Sequence, residues 1–460
     1  MNAAVEALRA ALGDGIVRTG ADIPARNLTD SSRYTPPTPP LALVLPRSVE
    51  DVATALRLCH AHGQPVVTQG GMTGLADGAT PARTEVAISL ERMSGIEEID
   101  VQAGTITALA GTPLEAIQKA ADDAGFVCGI DLGARGSCTI GGNVATNAGG
   151  NQVLRYGMTR RNVLGLEAVL ADGTIVRSLN KMLKNNAGYD WTQLLFGSEG
   201  TLGIVTRVVV MLHPKPASIE TALIALPSAD AAIRLLRRAG AELPGGLLVF
   251  EAMWRDLIEV AIQHVKLPSP FAETPEMTVL LEAPGDRSGQ FRELLEGFLG
   301  SMLEEGIITD ALVAKSGADR ARFWAYRECM YEFHRLMPPM VAFDVSLPIG
   351  SMREAVDVIR ARLAARHGDA IVVNFGHIAD SNLHLIVMKP GLDKTAKLDI
   401  EAIVYAGVSE YGGSVSAEHG VGRAKRPYLT LSRTPEELAL MRTIKQALDP
   451  RGILNPERIL

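Results

Sequence analysis

The sequence predicts an α+β protein built from more than one domain. From Ala42 onward, strand-length apolar runs alternate with helical patterns, and three glycine-rich loops precede residue 210. After residue 217 the helical segments become longer and strands recur between them, which is typical of helices packed on an antiparallel sheet. A chain of 460 residues that is 47% hydrophobic can bury a core in each of two or three domains.

Composition excludes several classes of function. The net charge is −7 and Lys and Arg do not cluster, which argues against a nucleic-acid-binding surface. The N-terminus lacks a basic segment followed by an apolar run, and no apolar stretch approaches about 18 residues, so neither secretion nor a membrane span is expected. The four cysteines form no CxxC pair, which indicates a reducing compartment, and we therefore expect a cytoplasmic protein.

The first domain is expected over residues 41–216, after a lead-in of residues 1–40 that ends in a proline-rich extended stretch. It opens with a strand at residues 42–45 and a helix that Ser48 caps and Gly63 ends. Thr112 and Glu115 predict a capping box for a helix that ends near Gly125. Further strands are expected at residues 65–68, 86–90, 106–110, 162–170, 174–178 and 205–212.

The second domain is expected over residues 217–410, with an antiparallel sheet and long helices. Helical patterns cover residues 229–239, 288–305 and 352–366, and strand patterns cover residues 277–282 and 341–347. The C-terminal segment, residues 411–460, begins a helix at Thr434, where Glu437 is placed for a capping box.

The glycine-rich loops are the first candidate ligand-binding feature. The longest runs from Gly136 to Gly150, and its five glycines stand among small, polar or β-branched residues. Backbone amides in such a loop can approach an anion closely, and hydroxyl and amide side chains add partners. The alternative is a glycine-rich surface loop, which the buried-type residues Ile140 and Val144 disfavour. The loops at residues 69–78 and 196–206 are weaker signals, because similar loops also serve as plain turns.

A group of histidines is the second candidate. His377 and His384 are separated by a turn-forming segment, Ala379-Asp-Ser-Asn382, which predicts a hairpin that brings both imidazoles together. With Glu418 they form a two-histidine, one-carboxylate set suited to zinc, manganese or iron, and His419 remains as a base. The alternatives are ordinary hydrogen-bonded histidines and a Glu418 that pairs with Arg423 or Lys425.

Taken together, these motifs resemble the FAD-linked oxidases of the vanillyl-alcohol oxidase and para-cresol methylhydroxylase fold, in particular the D-2-hydroxyacid dehydrogenases. The similarity runs from about residue 40 to the end of the chain. The motifs that carry it are Gly136–Gly150, Arg155-Tyr-Gly157, Gly197-Ser-Glu-Gly-Thr-Leu-Gly203, Gly376-His377 with His384, Ala417-Glu-His-Gly420 and Leu454-Asn-Pro456.

The resemblance implies a para-cresol methylhydroxylase-type FAD-binding domain of two subdomains and a substrate (cap) domain. It also implies that the last fifty residues return to the flavin domain. FAD would be bound non-covalently, because Met72 stands where covalent relatives place histidine. The FAD-binding positions are Gly70, Gly71, Met72, Thr73, Gly74, Leu75, Gly78, Gly136, Ser137, Cys138, Gly141, Gly142, Asn143, Thr146, Asn147, Gly149, Gly150, Glu199, Gly200, Gly203, Ile204 and Asn455.

The resemblance also implies the roles in catalysis. His377, His384 and Glu418 would bind a divalent metal, Zn or Mn, and His419 would be the proton-abstracting base. Arg327 matches the arginine that holds the substrate carboxylate, although a surface salt-bridging arginine is the alternative. The substrate would be a small D-2-hydroxyacid, and reduced flavin would pass electrons to an electron-transfer flavoprotein, a quinone or a cytochrome. A homodimer is left open.

Two positions depart from the pattern of 2-hydroxyglutarate dehydrogenases. Ala342 stands where these enzymes usually have lysine, and Ile386 stands where asparagine is frequent. Both departures remove groups that would hold a distal carboxylate. They favour D-lactate or another monocarboxylic acid over D-2-hydroxyglutarate or D-malate, unless His334, Arg335 or Lys389 substitutes. Two other functions remain as alternatives: an oxidase that uses dioxygen, and an electron-transfer subunit of a glycolate-oxidase-like complex.

Overall fold

The computed structural model describes residues 2–460, which divide into two compact units. Unit 1 comprises the described residues up to Lys215 together with Glu418–Leu460, and unit 2 comprises Pro216–Ala417. Each unit combines sheets with helices, which confirms the predicted α+β class.

Unit 1 contains two sheets, of which the first has both parallel and antiparallel pairs. Its strands are β1 (Val17–Arg18), β2 (Ala42–Val44), β3 (Val66–Gln69) and β4 (Val86–Ser89), in the order β1-β2-β4-β3. The helices α1 (Ala3–Leu12) and α2 (Val49–His62) belong to the same part of the chain. The cap of α2 is as predicted, because the Ser48 hydroxyl accepts from the Asp51 amide at 3.1 Å and Gly63 ends the helix with φ 60°.

The second sheet of unit 1 is antiparallel throughout its paired strands. Its strands are β5 (Ile96–Asp100), β6 (Thr105–Leu109), β7 (Phe126–Cys128), β8 (Val163–Val169), β9 (Ile175–Ser178) and β10 (Ile204–Pro214). Their order is β5-β6-β10-β8-β9, and β7 also pairs with β10. The long strand β10 lies in the middle of this sheet. Its valines are buried, which is typical of a core strand.

Three short helices connect these strands: α3 (Leu114–Asp123), α4 (Ile140–Thr146) and α5 (Val153–Tyr156). The predicted capping box at Thr112 and Glu115 is wrong. The helix α3 begins after Pro113 without a side-chain cap, and the Thr112 hydroxyl instead donates to the Gly95 carbonyl at 3.0 Å. A hydroxyl that is engaged by a neighbouring segment cannot cap the helix that follows it.

Unit 2 is built on one antiparallel sheet of seven strands, in agreement with the prediction for residues 217–410. The strands are β11 (Ser218–Leu226), β12 (Val249–Trp254), β13 (Met277–Gly285), β14 (Asp310–Val313), β15 (Met340–Ser346), β16 (Ile371–Gly376) and β17 (Asn382–Met388). Their order is β14-β11-β13-β12-β16-β17-β15, so β12, β16 and β17 are interior strands.

The helices of unit 2 cover this sheet. They are α6 (Ala229–Glu242), α7 (Arg255–Gln263), α8 (Gln290–Glu304), α9 (Gly317–Glu328), α10 (Phe333–Leu336), α11 (Met352–Arg366) and α12 (Lys394–Glu410). Leu257 of α7 and Phe323 of α9 belong to one hydrophobic cluster with Phe375 of β16 and Ile386 of β17. The helices α7 and α9 therefore cover the sheet face from which Phe375 and Ile386 project.

After unit 2 the chain forms α13 (Gly422–Lys425) and α14 (Pro435–Leu448) in unit 1. The predicted capping box of α14 is present, with the Thr434 and Glu437 side chains bonded to each other's amides. Leu454 then forms a parallel bridge with Val66 of β3, so the C-terminal residues reach the first sheet of unit 1.

Candidate functional site

The glycine loops of unit 1 pack against one another. A Cβ on Gly71 would lie 1.9 Å from the Ser137 carbonyl oxygen, and one on Gly70 would lie 2.6 Å from the Thr139 hydroxyl. Glycine is required at Gly71 because any side chain would overlap the backbone of the other loop. The sequence predicted that these glycines leave space for a ligand, whereas at Gly71 the space is occupied by the second loop itself.

The longest loop is partly helical rather than a surface loop. Ile140, Gly141, Asn143 and Val144 are buried in α4, and Gly149 and Gly150 are buried after it, whereas Gly136 and Ser137 are exposed. The surface-loop alternative therefore does not describe the stretch from Cys138 onward. Cys138 is buried as well, and burial raises the pKa of its thiol.

Two buried hydroxyls at these loops have unmet hydrogen-bonding capacity. The Oγ1 atoms of Thr139 and Thr68 are buried, and neither has a hydrogen-bond partner among the described residues, 2–460. Thr139 Oγ1 lies 3.3 Å from the Cβ position of Gly142, and Thr68 Oγ1 lies 3.3 Å from that of Gly200. Buried polar groups are normally paired, so these hydroxyls suit a polar ligand such as a flavin nucleotide.

Several residues of the predicted flavin loops adopt the left-handed backbone conformation, which favours glycine. They are Met72 (φ 58°), Asp77 (φ 60°), Asn147 (φ 47°), Glu199 (φ 49°) and Asn455 (φ 43°). Such conformations are costly for residues with a Cβ and concentrate at ligand sites. They lie in the loop after β3, after α4, before β10 and after α14, all within unit 1.

Glu199 binds the turn that follows His419. Its carboxylate accepts from the Val421 amide at 2.6 Å and from the Gly422 amide at 2.8 Å. A Cβ on Gly420, whose φ is 80°, would lie 2.8 Å from Glu199 Oε1, so the carboxylate and the turn are in close contact. The side chain of this predicted flavin-binding residue thus positions backbone on the far C-terminal side of the chain.

Asn455 completes the same network. Its side-chain amide donates to the Glu199 carbonyl at 2.6 Å, and its side-chain oxygen accepts from the Thr68 amide at 2.9 Å. Arg423, one of the two partners that the sequence left open for Glu418, pairs with Glu85 at 3.4 Å. Asn455 and Glu199 therefore join β3, the loop before β10 and the turn after His419 within unit 1.

In unit 2 the predicted hairpin brings the two histidines together. Strands β16 and β17 pair antiparallel, and Ser381, with φ 73°, lies in the turn between them. The rings of His377 and His384 have centroids 5.7 Å apart, and a ligand atom of each lies within 4.8 Å of the other. His377 is 4% exposed, and the His384 side chain is 13% exposed.

Two carboxylates that the sequence analysis missed lie beside these histidines. His377 Nδ1 lies 2.5 Å from Glu251 Oε1, and His384 Nδ1 lies 4.0 Å from Asp344 Oδ1. Glu251 is on β12, more than 120 residues before His377, so no motif connects them. Asp344 is two residues from Ala342, and its carboxylate also accepts from the Asn382 amide at 2.8 Å.

Arg327 is buried beside the histidines and is not a surface arginine. It is 6% exposed, its Nε donates to Glu251 Oε2 at 2.6 Å, and its guanidinium lies 4.5 Å above the Phe375 ring centroid. Pairing with Glu251 and stacking on Phe375 fix the plane of the guanidinium. This geometry suits a group that must present one edge to a carboxylate.

Glu418 follows directly on the last residue of unit 2. The Ala417 amide donates to the Asp344 carbonyl at 3.3 Å, which anchors the end of unit 2 to β15. Glu418 is therefore one residue away from an anchor on the strand that carries Asp344. Imidazole nitrogens with a carboxylate oxygen are ligands of zinc and manganese, and the histidine pair fits such an ion.

Solved structures share the fold of this chain. A solved structure of p-cresol methylhydroxylase with substrate bound matches with a TM-score of 0.78 at 17% identity, over 100% of this chain and 96% of that chain. Alkyldihydroxyacetonephosphate synthase matches with a TM-score of 0.76 at 17% identity, over 99% of this chain and 86% of that chain. Identities this low establish the fold alone.

Family models define the chain further. Residues 40–178 match the FAD binding domain, and residues 215–459 match the C-terminal domain of FAD linked oxidases. Because the second match covers more than half of the 460 residues, the chain belongs to the FAD-linked oxidase family. The expected cofactor FAD and the expected class, a flavin-dependent oxidoreductase, are thereby confirmed.

Curated relatives are dehydrogenases of D-2-hydroxyacids. Mitochondrial D-2-hydroxyglutarate dehydrogenase of Bos taurus is 39% identical over 449 residues, which cover 95% of this chain and 82% of that protein. D-2-hydroxyglutarate dehydrogenase of Xanthomonas citri is 39% identical over 434 residues, which cover 93% and 90%. A putative mitochondrial D-lactate dehydrogenase of Schizosaccharomyces pombe is 34% identical over 445 residues, which cover 95% and 84%.

These relatives leave two expectations unconfirmed. The names favour D-2-hydroxyglutarate over the D-lactate-like substrate that Ala342 and Ile386 had favoured. Several relatives are mitochondrial, so a cytoplasmic location is not confirmed. Among the described residues, no helix has the length and apolar character needed to cross a membrane.

Proposed function

We propose that this chain is a metal-assisted, FAD-dependent dehydrogenase that oxidises D-2-hydroxyglutarate to the corresponding 2-oxoacid. The observation that carries the proposal is the histidine hairpin of unit 2, in which His377 and His384 lie beside the buried Arg327. A histidine pair binds a divalent cation, and an arginine binds a carboxylate. An α-hydroxyacid offers both a hydroxyl and a carboxylate to such a site.

Each residue has a distinct part in this proposal. His377, His384 and Glu418 hold a divalent cation, Zn or Mn, and Arg327 binds the substrate carboxylate. His419 takes the proton of the α-hydroxyl. A bound cation would favour ionisation of that hydroxyl, and bound FAD would supply the two-electron acceptor for the hydride of Cα. The loops of unit 1 that carry Gly70–Leu75, Gly136–Asn147 and Asn455 hold FAD non-covalently.

The dicarboxylic substrate is proposed on the names of the relatives. D-lactate is the second candidate, and one arrangement in unit 2 favours it. Ala342 and Ile386 are paired on neighbouring strands, two residues from Asp344 and His384 respectively. The sheet therefore presents two apolar side chains beside the histidine. Two of the side chains that could hold a distal carboxylate in place of the missing lysine already form ion pairs. Arg335 pairs with Glu332 at 2.6 Å, and Lys389 pairs with Asp369.

Anaerobic bleaching of the flavin tests the proposal. Purified protein is mixed with D- and L-enantiomers of 2-hydroxyglutarate, malate and lactate, before and after chelator treatment. We expect rapid reduction by D-2-hydroxyglutarate, loss of reduction after chelation, and recovery on addition of Zn²⁺ or Mn²⁺. Reduction by L-acids alone, or full activity after metal removal, would contradict it.

The same preparation identifies the electron acceptor. We propose transfer to an electron-transfer flavoprotein, a quinone or a cytochrome rather than to dioxygen. Stoichiometric hydrogen peroxide release under turnover would instead identify an oxidase. A flavin that no D-2-hydroxyacid bleaches, together with an unaffected His419→Ala variant, would identify an electron-transfer subunit.

A further inference from the structure

Glu251 occupies the centre of the unit 2 sheet. It lies on the interior strand β12, and its residue is 0% exposed. Burial of a carboxylate is unfavourable unless charged or hydrogen-bonding partners surround it. The Glu251 carboxylate therefore requires charged or hydrogen-bonding partners close to it.

The two carboxylate oxygens of Glu251 have different partners. Oε1 lies 2.5 Å from His377 Nδ1, and Oε2 accepts from Arg327 Nε at 2.6 Å. One buried side chain thus connects a predicted metal ligand with the predicted substrate-carboxylate arginine. All three residues belong to unit 2, and each is at most 6% exposed.

We infer that Glu251 is a positioning residue that sets the metal-binding nitrogen of His377 and the orientation of Arg327 at the same time. This inference rests on the proposed function. The Glu251 carboxylate lies against Nδ1 of His377, so a proton on that nitrogen would face an acceptor and Nε2 would be the nitrogen that binds the metal. Such carboxylate–histidine contacts fix ring orientation and raise ligand basicity in metal sites.

The same contact constrains Arg327. Its Nε is committed to Glu251, Nη1 lies 3.0 Å from Met330 Sδ, and the guanidinium plane lies on Phe375. The remaining edge of the fork is the part that can bind a substrate carboxylate in a bidentate manner. A change at Glu251 should therefore weaken both metal binding and substrate binding.

A structural role alone would predict a different outcome, and the chain offers a matched control. Glu282, on the neighbouring strand β13, is 2% exposed and also binds an arginine, with Arg320 Nε at 2.6 Å. It contacts Trp324 and Thr221 in place of a histidine. Glu282→Gln removes a buried glutamate from its pair with Arg320, whose side chain is 44% exposed, and takes no carboxylate away from a candidate metal ligand.

The experiment compares Glu251→Gln with Glu282→Gln in the FAD-loaded, full-length protein. Dissociation constants for Zn²⁺ and Mn²⁺ are measured by competition with a chromogenic chelator, and flavin content is measured alongside. We expect Glu251→Gln to weaken metal binding about 10–100-fold with FAD retained. It should also raise KM for D-2-hydroxyglutarate, whereas Glu282→Gln should leave metal affinity unchanged. Equal metal affinity in the wild type and Glu251→Gln would overturn the inference.

The wild-type protein provides a second test that does not depend on a variant that folds. With ¹⁵N-labelled histidine, and His377→Gln to assign the signal, the zinc-loaded protein should show His377 protonated on Nδ1. A proton on Nε2 would overturn the inference. If the wild type oxidises no D-2-hydroxyacid, the proposed function fails, and Zn²⁺ affinity and the His377 tautomer still test the role of Glu251.

Discussion

Glu199 in unit 1 and Glu251 in unit 2 are both buried glutamates, yet their surroundings affect them in opposite directions. Burial raises the pKa of Glu199, and the Val421 and Gly422 amides that hydrogen-bond to it offset this only in part. Burial also opposes ionisation of Glu251. There the neighbouring His377 and Arg327 side chains outweigh burial and hold the pKa below its usual range.

The difference shows how the two regions are organised. Glu199 accepts hydrogen bonds from two backbone amides, so it connects loops. Cationic side chains stabilise the ionised form, so Glu251 is a fixed negative charge among groups suited to a metal and an anion. Unit 1 thus uses a glutamate to hold backbone, and unit 2 uses one to orient side chains.

The largest expected effect concerns the residue at the end of the Glu199 network. His419→Ala should lower turnover about 10²–10⁴-fold, because it removes the proposed general base, and FAD should remain bound. Stopped-flow flavin reduction with D-2-hydroxyglutarate measures the loss.

Glu199→Gln sharpens this prediction. If Glu199 acts on catalysis by positioning the turn after His419, Glu199→Gln should lower kcat in the wild type. In the His419→Ala background it should cause no further loss. Independent, additive losses would show that Glu199 does not act through His419.

The next largest effect is on the free energy of unfolding, where the two buried glutamates can be compared directly. Glu251→Gln should destabilise unit 2 by about 3–5 kcal/mol, because it leaves the buried Arg327 charge without its partner. Glu199→Gln should cost about 1–3 kcal/mol, because one of two backbone amides loses its acceptor. Urea unfolding of both variants, monitored by circular dichroism, measures which variant loses more free energy of unfolding. A larger cost at Glu199 would contradict the distinction between a glutamate that holds backbone and one that is paired with a buried arginine.

The glycines of unit 1 provide a further test. Gly71→Ala would force a Cβ to within 1.9 Å of the Ser137 carbonyl oxygen, so we expect a loss of about 3 kcal/mol or more and weaker FAD retention. The control is Gly297→Ala in α8, where no heavy atom lies within 4 Å of the added Cβ. Replacement there should stabilise the helix by about 0.5–1 kcal/mol. Flavin release on gel filtration and thermal melting distinguish the two variants.

Local patterns in the sequence were sufficient for several structural predictions. Ser48 and Thr434 cap helices as expected, and the turn between His377 and His384 produces the expected hairpin. These features depend on residues within a few positions of one another, so their hydrogen bonds form where no distant segment competes for the same groups. The Thr112 capping box failed because a distant segment at Gly95 engaged the hydroxyl.

The sequence by itself determined the cofactor class and the candidate ligands, since the glycine loops and the histidine motifs each lie in short, characteristic stretches. Only the tertiary structure revealed the supporting carboxylates. Glu251 meets His377 and Arg327 because β12 lies beside β16 in the sheet, and Glu199 meets Val421 and Gly422 more than 200 residues later. A buried charge must find its partners in space, and strand order, which no local pattern encodes, decides which partners those are.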